Sequence, residues 1–513
     1  MNRALRIYAG SALFGALLGL SAPGIGVWFY AWIGLAPFLV LVASCRKHSE
    51  AVLAALVFGL AYNCVYLNWY LGLAPLDWLG FNDWQSHLMA ASALFIVSLH
   101  QALIIALFAL TYRLLPFKSK MTISWKSGQL NLPALWMVPL LWVLIVNKLG
   151  NAHCLTGVPW SMLEYSQYRQ LPIIQIASII GGVGIAYLIV LANLTLAIAF
   201  ATLSKSTSAK SLSAGNGRNM AIQGLTTLVA LLAVLTYGFW RLAGKQAPAP
   251  VALSVLQPNV NIEMQKSEQR YTLLELIKQQ EDLVAQCPPG FCIWTESSVP
   301  TRLSNNTAIR DHLSRLAKLK DLDLVVGSID EDRDGRLYNA VFAIRADGTF
   351  LTRAYRKQYL VPFGEYTPLL VNYMPDWVKR LTNTPAGAGY ASGSQAEVLE
   401  LGRGRVSPLI CFETISPELA SAAVRAGGQL LVNLSDPAWF HNSIIGEQML
   451  ACGVFRAVEN QRFFVVAANT GPSAIITPSG TISAGLRQGL KGAFTGKVGL
   501  VSQLSPFTRW FIF

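Results

Sequence analysis

Charge is what this chain has least of. Only 13% of its 513 residues are Asp, Glu, Lys or Arg, about half the share of a typical soluble domain, which excludes a chain exposed to water along its whole length. Acidic residues are the scarcer kind, 27 against 40 basic, for a formal net charge of +13. Histidine is limited to six residues, and the seven cysteines form no CxxC or HExxH pattern. No metal and no cofactor is therefore expected. Cys45, Cys64 and Cys154 read as packing residues. Cys287-Pro-Pro-Gly-Phe-Cys292 brackets a turn, where a small-loop disulfide and an unlinked pair both remain open.

The shortage of charge is uneven. Up to about Ala243 the chain is a series of apolar runs with short breaks, whereas from Pro248 it has the charge, Gly and Pro content of a globular α/β domain. Runs of roughly 17 to 25 residues read as membrane spans. There are about seven: Ala4–Leu20, Val27–Cys45, Ala51–Gly72, Leu88–Leu115, Leu132–Val146, Leu171–Leu203 and Met220–Leu242. The first has a second reading as a signal peptide, with Arg3 and Arg6 at its basic end, but no small-residue cleavage pattern leads into a polar mature start. Arg46, Lys47, Arg113, Lys118, Lys120, Lys126, Lys205, Lys210 and Arg218 fall on the same side as Arg3 and Arg6, which marks that side as cytoplasmic. An odd number of crossings then delivers the globular half to the outer face of the inner membrane. The basic loops suit anionic lipid headgroups and need no nucleic acid to explain them.

In the globular half, short apolar runs alternate with polar helical stretches. Strands are expected at Val251–Leu256, Phe291–Trp294, Leu322–Gly327, Ala340–Ile344, Val406–Ile410, Leu430–Leu434 and Phe463–Ala467, and helices at Ser267–Ala285, Asn306–Lys320, Glu418–Ala426 and Ile444–Asn460. Arg345-Ala346-Asp347-Gly348 and Thr477-Pro478-Ser479-Gly480 look like hairpin corners, so the sheets are at least partly antiparallel. The fold class is α/β: a polytopic α-helical membrane domain over residues 1–245, a two-sheet α/β sandwich over 246–500, and a short tail, 501–513.

Three residues in the second half supply chemistry. Glu296 in Trp-Thr-Glu-Ser-Ser-Val-Pro, Lys357 ahead of Gln-Tyr-Leu-Val-Pro-Phe-Gly-Glu, and Cys411 in Leu-Ile-Cys-Phe-Glu each lie just past an apolar strand-like run, so they are expected to converge at the ends of neighbouring strands. A carboxylate, an ammonium and a thiol provide a base, an oxyanion partner and a nucleophile, as covalent acyl transfer requires. Each has a plainer reading: a packed core cysteine, a carboxylate capping a turn, and one basic surface residue beside Arg353 and Arg356.

The ordered set Glu296, Lys357, Cys411, with Leu360-Val361-Pro362-Phe363-Gly364-Glu365-Tyr366, Asn339 in Leu-Tyr-Asn-Ala, and Asn433-Leu434-Ser435-Asp436-Pro437-Ala438-Trp439-Phe440, resembles the nitrilase superfamily. Joined to an apolar half containing Leu155-Thr156-Gly157-Val158-Pro159-Trp160 and Tyr165-Ser166-Gln167, the chain resembles the apolipoprotein N-acyltransferases of the bacterial inner membrane. The resemblance implies a nitrilase-like α/β-β/α sandwich on the periplasmic side of a multi-pass protein, acting as a monomer. It implies that Cys411 takes a fatty acyl chain from a membrane phospholipid and that the thioester passes it to the α-amino group of a diacylglyceryl-cysteine at an apolipoprotein N-terminus. Glu296 would be the base, Lys357 the oxyanion partner, and Glu365, Glu413 and Asn339 supports that orient Lys357 and its neighbours. Trp439, Phe440, Phe412, Phe363 and Trp160 would touch substrate, although Trp160 also suits an interfacial belt.

Three departures stand out. Phe412 follows the nucleophile where the family commonly has Tyr, Ile262-Glu263-Met264-Gln265-Lys266 lacks the aromatic often found there, and residues 501–513 are too short for the family's usual eighth span. Two other readings compete: a membrane-anchored nitrilase-type amidase acting on a small amide, and a non-catalytic scaffold. Seven spans exceed what tethering needs, and an intact Glu296, Lys357 and Cys411 argues against a relic.

Overall fold

The computed structural model describes residues 3–115, 121–125, 128–132, 136–150, 160–203, 217–244, 250–267, 270–362, 364–367, 369, 373 and 389–510. They form two compact units, one made of Met1–Gly244 with Ser443–Ala451 and the other of Lys245–Asn442 with Cys452–Phe513. Cys154, Leu155–Pro159 and Phe363 lie outside the described residues.

The first unit is helical. Its elements are α1 (Arg3–Gly19), a turn of helix at Tyr30–Ile33, α2 (Leu35–Ser44), α3 (His48–Tyr66), α4 (Asp83–Leu114), a hairpin of β1 (Met121–Trp125) and β2 (Gly128–Leu132), α5 (Met137–Trp142, continued by a π turn to Leu149), α6 (Ala177–Leu203) and α7 (Gly217–Ala243). Among the described residues, His48–Tyr66, Asp83–Leu114, Ala177–Leu203 and Met220–Ala243 are long and apolar enough to cross a membrane, and Tyr30–Ser44 and Met137–Leu149 are shorter apolar helices. The run Leu171–Leu203, expected as one span, is interrupted. Leu171–Ile174 is a separate turn with Pro172 at its start, and Gly181 leaves helical geometry at φ 69, ψ 176, a conformation that a residue without Cβ adopts at little cost.

Without water to drive helix association in lipid, close backbone approach takes over. A Cβ on Gly15 of α1 would stand 2.3 Å from the Phe58 carbonyl oxygen of α3. The buried Asn193 amide of α6 closes the break before α2: its oxygen accepts from Leu35 and Ala36 N–H at 3.0 and 2.9 Å, and its nitrogen donates to Ala31 C=O at 2.8 Å. Orphan donors at a helix start are thereby satisfied inside an apolar bundle. Ser443–Ala451 lies far past residue 245 yet groups with this unit because its side chains bond there. Gln448 accepts from Trp69 Nε1 at 3.0 Å and donates to Tyr66 C=O at 2.8 Å, and Glu447 accepts from the Tyr168 hydroxyl at 2.9 Å.

The second unit is a sandwich of two mixed sheets. One has strand order β15 (Gly492–Val498), β3, β4, β6, β7, β8, with β5 also pairing β6; the other runs β14 (Ile482–Leu486), β13 (Ser473–Ile476), β12, β11, β10, β9 (Leu399–Leu401). The strands that matter below are β3 (Val251–Gln257), β4 (Gly290–Ile293), β5 (Val299–Arg302), β6 (Leu322–Glu331), β7 (Leu337–Ile344), β8 (Tyr355–Arg356), β10 (Gly404–Ile410), β11 (Leu430–Ser435) and β12 (Phe464–Ala468). Period-two alternation explains the layering. From β4, Phe291 and Ile293 join Val341, Val406, Ile410 and Val432 in the core between the sheets, whereas Cys292 points the other way, into a second core shared with Ile277 and Leu283 of α8 (Leu273–Val284) and Ile309 and Leu313 of α9 (Thr307–Lys320). The helix expected from Ser267 begins only at Leu273, where Thr272 and Glu275 form a capping box. Gly492–Val498, not expected as a strand, pairs with β3 as an antiparallel edge. The last described element is a short helix, Pro506–Trp510, with Phe507 and Thr508 buried.

Candidate active site

Glu296 follows β4, Lys357 follows β8 and Cys411 follows β10. They do not come from neighbouring strands. Glu296 and Lys357 extend from one sheet and Cys411 from the other, so the site forms where the two sheets face each other across the shared core.

Cys411 adopts φ 49, in the left-handed region that a side chain rarely takes, and Ser297, directly after Glu296, adopts φ 51. Such backbone persists only where the surroundings enforce it. Asn433 Nδ2 does so at Cys411 by donating to its backbone carbonyl at 3.0 Å. Ser435 Oγ donates to Cys411 Sγ at 3.5 Å.

Lys357 is 1% exposed and donates to Glu365 Oε1 at 2.9 Å, with Glu296 Oε1 at 3.5 Å. Asn339 of β7 arranges these charges. Its side-chain amide nitrogen donates to Glu296 Oε1 and to Glu365 Oε1, each at 2.8 Å, and its backbone carbonyl accepts from the backbone N–H of Lys357 at 2.8 Å. Glu296 Oε2 is fixed by Asp436 N–H at 2.9 Å, and Glu365 Oε2 by Val361 N–H at 2.8 Å. Burial alone would push the Lys357 ammonium down, but Glu365 and Glu296 outweigh it and hold its pKa well above the ordinary value. The Cys411 thiol is pushed up to about 12, first by burial and then by the Glu296 charge, with Lys357 and the Ser435 hydroxyl opposing. Burial also lifts Asp436 to about 6, with Glu296 adding to the rise against the hydrogen bond from Asn469.

Glu413 does not hold Lys357 as expected. Its four hydrogen bonds go to Ile410 N–H (2.7 Å), the Tyr355 hydroxyl (2.7 Å), Gln358 N–H (2.6 Å) and Tyr359 N–H (3.2 Å). It clasps the backbone beside Cys411 to the backbone after Lys357, joining strand ends of opposite sheets, and burial raises its pKa.

The remaining site candidates are spread more widely. Phe412 is half-buried beside Cys411. Trp439 and Phe440 lie on a 3-10 turn, Pro437–Phe440, directly after β11, with the Lys266 ammonium 5.6 Å from the Trp439 ring centre. Trp160 belongs to the helical unit, where it is buried edge-on against Trp69 with ring centres 5.5 Å apart, and so does not sit in an exposed belt. Cys287 and Cys292 are unlinked thiols. Among the described residues no group of His, Cys, Asp and Glu could hold a metal. Ser435 and Asp436 were given no role of their own in the motif 433–440, and their signal was position: Ser435 ends a buried strand and Asp436 follows it, beside Cys411 and Glu296.

The carbon-nitrogen hydrolase family model matches residues 253–502, and the model for the apolipoprotein N-acyltransferase N-terminal domain matches residues 14–195. A relative from Geobacter metallireducens, named apolipoprotein N-acyltransferase, is 33% identical over 93% of this chain and 86% of its own length. A Gloeobacter violaceus relative of the same name is 28% identical over 97% of this chain and 89% of its own. Among solved structures, Saccharomyces cerevisiae Nit3, a member of branch 10 of the nitrilase superfamily, is similar over 50% of this chain and 93% of its own, at 16% identity and TM-score 0.37.

Proposed function

Since the chain belongs to the apolipoprotein N-acyltransferase family, we propose that it moves a fatty acyl chain from a membrane phospholipid to the α-amino group of the N-terminal diacylglyceryl-cysteine of an apolipoprotein, by way of a thioester on Cys411. The observation that carries this is the meeting of Glu296, Lys357 and Cys411 at the facing ends of two sheets, with Glu296 and Lys357 locked by Asn339 and Glu365.

In the first half-reaction Cys411 Sγ attacks the ester carbonyl carbon of the phospholipid. A thiol held near pKa 12 is not a standing thiolate at neutral pH, so its proton leaves to the Glu296 carboxylate as the S–C bond forms. Lys357 stays an ammonium and faces the oxyanion. When the tetrahedral intermediate collapses, the C–O bond breaks and the glycerol oxygen takes the proton from Glu296, leaving lysophospholipid and acyl-Cys411. In the second half-reaction the lipoprotein amine attacks the thioester, Glu296 takes its proton, and the sulfur leaves and is reprotonated. Trp439 and Phe440 suit contact with the acyl chain. The distribution of Lys and Arg among the loops supports a periplasmic position for the catalytic half in the proposed reaction.

An amidase acting on a small amide is the weaker reading, because relatives named for acyl transfer align along the helical half as well as the sandwich. Incubation of the purified protein with phospholipid, followed by intact-mass measurement, tests the proposal. The expected result is one fatty-acyl adduct, absent from Cys411→Ala. An unmodified wild-type chain that nonetheless N-acylates a lipoprotein would overturn the thioester route.

A further inference from the structure

We propose that Ser435 is a further catalytic residue: its hydroxyl donates a hydrogen bond to the Cys411 sulfur as the thiolate forms and again as that thiolate leaves the thioester. The inference rests on the reading of Cys411 as nucleophile.

The geometry comes from strand β11. Asn433 and Ser435 are two residues apart and so share one face of the strand. Both reach Cys411, Asn433 through its carbonyl at 3.0 Å and Ser435 through its sulfur at 3.5 Å. The next residue, Asp436, gives its N–H to Glu296 Oε2 at 2.9 Å. Three positions at one strand end therefore set the nucleophile and its base against each other. The strand is central, paired in parallel with β10 on one side and β12 on the other, and the Ser435 carbonyl accepts from Asn469 N–H at 3.0 Å. Ser435 is fully buried, so its hydroxyl is held at the sulfur by rigid backbone.

A neutral hydroxyl adds most where charge is developing in a dry site. The charged groups facing the sulfur are Glu296, Lys357 and Glu365. Two are anionic, so the sulfur's gain of negative charge is opposed, and an added donor compensates without adding a proton-transfer step. Through both half-reactions Ser435 keeps its own proton while the thiol proton goes to Glu296 and on to the leaving oxygen. In the second half-reaction the same hydroxyl favours departure of the sulfur.

The test compares wild type, Ser435→Ala and Cys411→Ala in the full-length protein. Loss of a donor to a charged group slows acyl-enzyme formation about 10- to 100-fold, with KM for phospholipid unchanged. The pH profile for alkylation of Cys411 by iodoacetamide moves to higher pH in Ser435→Ala. If Ser435→Ala does not fold, Ser435→Cys replaces it, and its weaker donor gives an intermediate shift. A wild-type profile in whichever variant folds overturns the role of Ser435 while leaving Cys411 as nucleophile. Acyl transfer by Cys411→Ala overturns the underlying reading instead.

Discussion

At the scale of single residues, the site separates charge from chemistry. Lys357 is an ammonium with two carboxylate neighbours, Glu296 and Glu365, and one amide, Asn339, touches both carboxylates. The proposed mechanism gives the part of base to Glu296, whose charge acts on the Cys411 sulfur more strongly than that of Glu365. Glu296→Gln should block acyl-enzyme formation, and Lys357→Met should slow that same half-reaction by about 10²- to 10³-fold, the cost of one oxyanion donor. Lys357→Arg should not restore it, since a planar fork cannot occupy the place of a compact ammonium. Accumulation of acyl-enzyme at the normal rate in either of the first two variants would reassign that residue. The thiol gives an independent check. With a pKa pushed up to about 12, alkylation of Cys411 should keep rising from pH 7 to pH 10 without a plateau. Removing the Glu296 charge takes away a cause that raises the pKa, so Glu296→Gln should alkylate faster than wild type at pH 9 while failing to transfer acyl groups. A neutral-pH plateau in wild type would show a standing thiolate and remove the need for a base.

At the scale of elements, the site depends on how closely strands approach. Gly327 of β6 lies behind the turn that carries Glu296: a Cβ there would meet Thr295 O at 2.5 Å, Ser297 N at 2.7 Å and Glu296 Cα at 2.8 Å. All three are backbone atoms, which cannot swing aside. Gly327→Ala should lower the melting temperature by an amount corresponding to about 1–3 kcal/mol and displace Glu296, so that activity falls further than stability alone explains. Full activity in a folded Gly327→Ala protein would show that the Glu296 turn is more tolerant than its contacts imply. Much of this element level was legible beforehand. The apolar runs at 291–294, 406–410 and 430–434 became strands, because runs of that length bounded by turn residues fit a sheet buried on both faces. Gly492–Val498 was not, because it carries Gly, Thr and Lys at a half-exposed edge, where composition signals no strand.

At the scale of the molecule, a segment far along the chain, Ser443–Ala451, completes the helical unit. Within α10 (Ile445–Asn460), Gln448 bonds Trp69 and Tyr66 of the helical unit. Its replacement by Leu leaves the Trp69 indole N–H without this acceptor in an apolar interior, a loss of about 1–3 kcal/mol. Gln448→Leu in detergent should therefore melt earlier than wild type, whereas Gln448→Glu, which still accepts from Trp69, should lose less. Equal melting of Gln448→Leu and wild type would show that the bond contributes nothing net.

Composition and order along the chain were enough for an apolar helical half followed by an α/β half, and for naming Glu296, Lys357 and Cys411 as candidates. A charge-poor half has no alternative to lipid or deep burial for its apolar runs, and motifs of a thiol, an ammonium and a carboxylate keep their order whatever the packing. Which sheet each residue extends from, the redirection of Glu413 from Lys357 to four backbone and hydroxyl donors, and the bonds of Ser435 and Asp436 to Cys411 and Glu296 were settled by packing. Apart from the short reach of Glu413 to Ile410, these bonds join residues tens to more than a hundred positions apart and depend on how strands are placed in and between the sheets, which leaves no local pattern to read.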